Sequence, residues 1–268
     1  MTLARENAAT IAERFLLARR TASGLPDYPG RLPDTLEQAY AIQDAAIAAW
    51  NRPIVGWKVG RVAASLADRL GTDRLAGPIF ACDVAQTDGA LVEMPVFEQG
   101  FAAGEAEYLL RIGRVPPQEK GQFDLDEAAA LIEAVHVGIE IASSPLGAIN
   151  DLGPTAVISD FGNNNGIVIG DAIPEWRTSG FEEWPVTTLI DGVDVGTGRA
   201  SVFPNGAIGA ARFLFELMAW RGMQLEAGQW ISSGAISGVH DARPGQTVEA
   251  HFNNRFNVRC RLVAARPE

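Results

Sequence analysis

Phe101-Ala102-Ala103-Gly104-Glu105-Ala106-Glu107-Tyr108-Leu109-Leu110-Arg111-Ile112 is the stretch on which the reading of this chain turns. Its period of two sets Tyr108, Leu110 and Ile112 on one side and Glu105 and Glu107 on the other, the alternation of a strand. Two residues of strand span roughly 6.5–7 Å, so both carboxylates can converge on one ion. Like charges that close repel unless a proton or cation lies between them, and hard oxygen ligands suit magnesium, calcium or manganese. On a lone strand such acids are more often an ordinary solvated face. Glu140 tips the reading, because in Val137-Gly138-Ile139-Glu140-Ile141-Ala142 it is an acid in an otherwise apolar run. A buried carboxylate is costly unless paired or bound to metal.

Outward from these strands, the 268 residues are 47% apolar and 21% charged, enough for a sizeable core. The net charge of −11 argues against nucleic acid and against an anionic membrane surface, so an anionic substrate needs local positive charge. No apolar run reaches transmembrane length. Two cysteines, Cys82 and Cys260, make no disulfide framework, and no charged-then-apolar leader opens the chain over Met1 to Glu6. A reducing cytoplasm is the expected compartment.

Helical spacing of Ala8, Ile11, Phe15 and Leu16 predicts a helix over residues 4–20. Asp34-Thr35-Leu36-Glu37 reads as a variant capping box, with Asp34 the cap, opening a helix to about Trp50. Residues 1–53 are thus expected to be a helical N-terminal segment, ahead of a larger unit over 54–268. Ile54 to Gly60 is a short apolar strand carrying Lys58, either reaching its ammonium to the surface or partly buried as a proton carrier or anion partner. Asp83 is its candidate acidic partner. Residues 126–135 read as an acidic, Ala-rich helix, and His136, at the start of the next strand, as a hydrogen-bonded structural histidine.

Ile158-Ser159-Asp160-Phe161-Gly162-Asn163-Asn164-Asn165-Gly166-Ile167 places three amides between two apolar strands. Turn chemistry accounts for such residues, and substrate-facing amides account for them equally. Asp191-Gly192 predicts a hairpin. Gly196-Thr197-Gly198 lacks the strand-to-helix context of a dinucleotide loop. Residues 206–221 form an amphipathic helix stopped by Gly222, and residues 230–234 and 246–264 read as closing strands.

The order Gly-Trp-Lys-Val-Gly, Glu-Ala-Glu, Gly-Ile-Glu-Ile, Ser-Asp-Phe-Gly-Asn-Asn-Asn-Gly and Ser-Ser-Gly-Ala resembles the 2-keto-4-pentenoate hydratase family of the fumarylacetoacetate hydrolase superfamily, from about residue 34 to 264. The resemblance implies an α+β fold, a mixed β-sandwich roll with a helical N-terminal segment. It implies Mg2+ or Mn2+ on Glu105, Glu107 and Glu140, with Lys58 and Asp83 catalytic. Asp160, Asn163, Asn164, Asn165, Ser233 and Gly234 fall on the substrate side. Relatives carry more alanine or serine where the three asparagines stand, and often Thr-Ser after the lysine, where this chain has Arg61 to Ser65.

The expected activity is a hydro-lyase of the 2-oxopent-4-enoate hydratase type, adding water to a 2-hydroxy-2,4-dienoate in aromatic-compound catabolism. A 4-oxalocrotonate-type decarboxylase uses the same enolate and the same acids, and a non-catalytic binding protein of the same fold is the alternative from another class. Hydrolysis of a C–C bond is disfavoured because no His lies between Lys58 and Gly71, and no Gly-x-Ser-x-Gly elbow occurs. The family likeness further implies a homo-oligomer, with a sister decarboxylase or hydratase as companion, and a small-molecule 2-oxo or 2-hydroxy dienoate as ligand.

Overall fold

The computed structural model describes residues 3–268; Met1 and Thr2, part of the opening stretch read for a leader, lie outside the described residues. Two helices come first, α1 (Leu3–Arg20) and α2 (Leu36–Trp50). Then follow β1 (Ile54–Arg61), α3 (Ala64–Leu70), β2 (Arg74–Phe80), β3 (Val84–Gln86), β4 (Val92–Val96) and β5 (Phe101–Ile112). The middle of the chain holds α4 (Leu125–Leu131), β6 (Ile132–Ser144), α5 (Pro154–Ser159), β7 (Asn164–Ala172), β8 (Val186–Ile190) and β9 (Val193–Gly198). It closes with α6 (Gly206–Arg221), β10 (Trp230–Ser232), β11 (Thr247–Phe252) and β12 (Phe256–Ala264).

The strands form a seven-stranded sheet, β2-β1-β10-β5-β6-β7-β3, and a five-stranded one, β4-β12-β11-β8-β9. Both mix parallel and antiparallel pairs, β1 running parallel to β10 and β12 to β4. This is the expected mixed β-sandwich roll with a helical N-terminal part. Even-numbered β5 residues, Ala106, Tyr108, Leu110 and Ile112, pack with Val248, Ala250 and Phe252 of the second sheet. The sheets approach so closely that a Cβ on Gly104 would stand 2.8 Å from Val248 Cγ1. Tyr108 keeps its hydroxyl satisfied there by donating to Phe181 O at 2.7 Å.

The opposite face of β5 reads Ala103, Glu105, Glu107, Leu109. Ala103 joins an apolar cluster with α1 and α2 side chains, including Ile11, Phe15, Tyr40 and Trp50. Leu109 joins Ile79, Ile167 and Ile169. The two acids lie between these clusters. Polar ties hold the helices down: Gln43 Nε2 donates to Ala76 O and Ile158 O at 3.0 and 2.9 Å. Arg19 and Asp160 form an ion pair, Nε to Oδ1 2.6 Å, with side chains 6% and 0% exposed.

The structure corrects three local expectations. The α2 cap is Thr35, not Asp34, and its side chain accepts from Gln38 N–H. Gln38 Oε1 accepts from Asp34 N–H, one residue before the cap, so the cap is displaced by one residue and no reciprocal box closes. The helix read over 126–135 ends at Leu131, because the strand that pairs with β5 begins at Ile132. That helix opens with a full capping box, Asp124 with Glu127. The segment before the three amides is helical, with Pro154 in its first turn, and not a strand. The Asp191-Gly192 hairpin is present, and φ of 50° and 79° give the two left-handed positions a type I′ turn needs.

Gly77 of β2 lies opposite Lys58 in the β1 register, and a Cβ there would stand 2.0 Å from the carbonyl oxygen of Phe161. Backbone cannot yield as a flexible side chain does. Gly77→Ala is therefore expected to cost about 2 kcal/mol or more of stability in urea unfolding. Gly121→Ala, where nothing lies within 4 Å, is the control and should change little. Equal stabilities of the two variants would refute the close approach.

Candidate active site

Glu105 lies directly opposite Glu140 in the antiparallel β5–β6 register, and Glu107 is two residues along the same face. One oxygen from each of the three carboxylates lies within 4.8 Å of the others, the only such group of potential metal ligands among the described residues. Their exposures are 5%, 1% and 1%. Lys58, on β1, stands two strands from β5 and three from β6, roughly 10–15 Å of sheet. A long side chain is needed to cross that span. Lys58 Nζ arrives 3.4 Å from Glu140 Oε1 with its side chain 6% exposed, so the ammonium is buried and does not reach the surface.

Glycines make room for it. A Cβ on Gly60 would stand 3.4 Å from Lys58 Nζ, and one on Gly162 3.2 Å from Lys58 Cδ. Each acid is also held by neighbours. Ser232 Oγ and Gly234 N–H both donate to Glu107 Oε2, the latter at 2.8 Å. Asn164 Nδ2 donates to Glu140 Oε1 at 2.9 Å. Glu107 Oε1 is buried without a partner.

Burial, and next the charge on Glu140, push the Glu105 carboxyl up to about 8. Burial, Glu140 and Glu105 drive Glu107 well above the carboxylate range. Burial alone would lower the Lys58 ammonium, but Glu140, Glu105 and Glu107 outweigh it, and the amine lies above its ordinary value. With their carboxyls raised, Glu105 and Glu107 tend to hold protons when no cation is present, and an unused oxygen of Glu107 lies in their midst. A hard divalent cation fits this all-oxygen donor set, and its charge would relieve the repulsion.

Beside Lys58 the chain makes an unusual turn. Phe161, Gly162 and Asn163 have φ of 55°, 67° and 55°, three successive left-handed residues of which two are not glycine. Phe161 anchors the turn edge-on to Phe80, ring centroids 5.0 Å apart, with the Arg19 guanidinium 5.2 Å from its ring centre. A cleft of about 470 Å³ opens next to the turn, with Lys58, Glu105, Arg61, Asn150 and Asn163 as its polar wall. Leu66, Leu75 and Val157 are among its apolar residues.

The expected site residues separate into three groups. Glu105, Glu107, Glu140, Lys58, Asn164 and Gly234 are drawn together, and Ser233 lies beside them in sequence with its hydroxyl buried and unpartnered. Asn163 faces the cleft. Asp83, Asp160 and Asn165 go elsewhere. Asp83 follows β2 beyond Phe80, which pairs with Ile54, whereas Lys58 pairs with Gly77. Its carboxyl is raised by burial and feels Cys82, Arg19, Arg52 and Glu268, none of them groups that act on Lys58. Asp160 is occupied by Arg19 and by the Ser144 hydroxyl at 2.6 Å. Asn165 donates to Pro95 O and accepts from Arg19.

Ser232, Asn150 and Arg61 went unassigned from sequence. For Ser232 the strand period could have served, since it is in register with Lys58 and is therefore the serine turned toward the carboxylates. Asn150 sits in a loop whose sequence carries no periodic signal. His136, at 2.9 Å from Gly170 O, is the structural histidine expected.

No profile of a known protein family matches the chain. It is similar over most of its length to curated 2-keto-4-pentenoate hydratases. It is 27% identical to 2-keto-4-pentenoate hydratase 2 of Dechloromonas aromatica, over 92% of this chain and 95% of the relative. With the TodF product hydratase of Pseudomonas putida it shares 25% identity, over 93% and 94%. Among solved structures, 4-oxalocrotonate decarboxylase from Pseudomonas putida G7, complexed with magnesium and adipate, superposes with a TM-score of 0.81 at 20% identity, covering 98% of this chain and 99% of that one. Fumarylpyruvate hydrolase from Pseudomonas aeruginosa, in complex with Mn2+ and pyruvate, gives 0.58 at 16% identity, over 80% and 91%. The fold is that of the fumarylacetoacetate hydrolase superfamily. No helix among the described residues is long and apolar enough to cross a membrane.

Addition of Mn2+ to chelated protein is expected to raise its unfolding temperature, and Glu107→Gln to weaken Mn2+ binding by at least about ten-fold in calorimetry. Unchanged affinity in that variant would remove Glu107 from the cation site.

Proposed function

We propose that the chain is a divalent-cation-dependent hydro-lyase that adds water to a 2-hydroxy-2,4-dienoate, giving a 4-hydroxy-2-oxo acid, in the breakdown of an aromatic compound. The observation that carries this reading is the buried cluster of Glu105, Glu107 and Glu140 with Lys58, at a cleft of small-molecule size. The names of the relatives support the substrate class. Mg2+ or Mn2+, held by the three glutamates, would supply Lewis acidity toward the substrate carboxylate and C2 oxygen.

The protein's own part is proton transfer and placement. Ketonisation moves one proton from the C2 hydroxyl to C5, after which water adds its oxygen to C4 and a proton to C3. Lys58 Nζ is the acid–base group held beside the carboxylates, and we assign that transfer to it. Asp83 makes no bond or ion pair with Lys58, and we assign it no step in that transfer. Ser232 and Gly234 N–H fix Glu107, and Asn164 fixes Glu140, so these positions hold the cluster's geometry without themselves reacting.

Hydrolysis of a C–C bond would call on a histidine base, and none of the three histidines lines the cleft. His136 meets Gly170 O, His240 meets Ser237 O, and His251 lies 3.5 Å from Glu249. The cytoplasm, and assembly into a homo-oligomer, belong to the same proposal.

Exhaustive chelation should abolish turnover of 2-hydroxypenta-2,4-dienoate, and Mg2+ or Mn2+ should restore it. Lys58→Met is expected to slow ketonisation at least about a hundred-fold. Cation affinity measured by calorimetry should survive in that variant. Full activity after chelation, or an undiminished ketonisation rate without the lysine, would refute the proposal.

A further inference from the structure

The cleft wall carries an amide pair that the carboxylate chemistry does not use. Asn163 Nδ2 donates to Asn150 Oδ1 at 3.1 Å, and the structure gives neither side chain another bond. Asn163 is 4% exposed, and its Oδ1 is buried without a partner. Asn150 is exposed and has its Nδ2 free. Both line the cleft that holds Lys58 and Glu105. The mutual bond uses half of each amide, leaving one acceptor and one donor. Turning both amides over exchanges which residue holds which, and the wall still presents one of each.

We infer that the cleft reads a neutral substituent on the substrate that both donates and accepts a hydrogen bond, a primary amide or a hydroxyl, with Asn150 and Asn163 as its specificity-determining residues. The inference takes the 2-oxo acid head group from the function proposed above. A second carboxylate is the wrong complement, because it only accepts: whichever way the two amides are turned, it meets the pair's free donor and leaves the free acceptor unmatched. The cleft's other cation, Arg61, is exposed, and its guanidinium stacks 4.6 Å over the Phe203 ring. A plain alkyl end fails for a different reason: it would leave a buried acceptor unpaired, the arrangement by which a polar site rejects an analogue that lacks the group. The left-handed turn, with Phe161 buried beneath it, holds Asn163 in place, so the acceptor cannot swing away to solvent.

Saturated 2-oxo acids, which cannot be hydrated, separate this subsite from the chemistry. Full-length protein with Mn2+ is titrated in a calorimeter with 2-oxohexanoate, with 2-oxoadipate and with 6-amino-2,6-dioxohexanoate, the isosteric terminal amide. The amide should bind about ten-fold more tightly than either of the others, and that ratio should fall to about one in Asn163→Ala and in Asn150→Ala. Asn150 is exposed, so its variant remains informative if the Asn163 variant does not fold. Tightest binding by the diacid, equal binding of all three, no binding of any, or a ratio unchanged in the folded variants would overturn the inference. Turnover of the dienoate is measured separately and enters none of these ratios, so failure of the hydratase reading and failure of the subsite are told apart.

Discussion

Three carboxylates are buried on one face of a sheet with one ammonium to oppose them, and the surrounding structure is arranged around that electrostatic tension. Charges at this depth persist only with compensation. Part of it is built in: the Lys58 ammonium, the Ser232 hydroxyl, the Gly234 amide and the Asn164 side chain each address one of the acids. What is left over, an unpartnered oxygen of Glu107 and two carboxyls raised by burial and by one another, is a donor set that suits a hard cation. Stability and function are opposed here, as is common where a site is pre-organised for a ligand.

The tension is tolerable because the acids lie between two apolar clusters and over a close-packed core. On one side α1 and α2 cover the sheet, and on the other the isoleucines of β2 and β7 do so. Arg19 carries this support further. From α1 it binds Asp160 and Asn165 and lies over Phe161, so one guanidinium braces both ends of the segment that bears the turn. Asp160 therefore acts on the cleft at a distance, by fixing backbone, and the helical segment contributes to the site although none of the acids or Lys58 lies on it.

Space is as constraining as charge. Gly60, Gly77 and Gly162 surround Lys58, and at each a methyl group would press on the lysine side chain, on Leu75 or on the backbone of the turn. The turn in turn holds Phe161 and Asn163 in left-handed backbone, which disfavours most residues and is tolerated best by Asn and Gly. Composition at 161–166 thus answers two demands together. Gly162 satisfies conformation and clearance, while Asn163 satisfies conformation and leaves an amide facing the cleft.

The sequence by itself determined what local periodicity encodes: the two-faced strand at residues 101–112, the misplaced acid at Glu140, the Asp-Gly hairpin and the helical opening. Alternation reports which residues share a face because side chains on a strand must point to opposite sides. Order and spacing of the motifs added the family likeness and the fold. What one chain's pattern does not contain is register between strands far apart in sequence. Only the tertiary structure set Glu105 opposite Glu140, brought Lys58 across to them, and placed Asp83 beyond the end of β2. It also divided the three asparagines, which look equivalent in sequence, among a cleft wall, a carboxylate and a half-buried brace. The physical reason is that Asn163 ends a left-handed turn while Asn164 and Asn165 are the first two residues of β7, where successive side chains point to opposite faces.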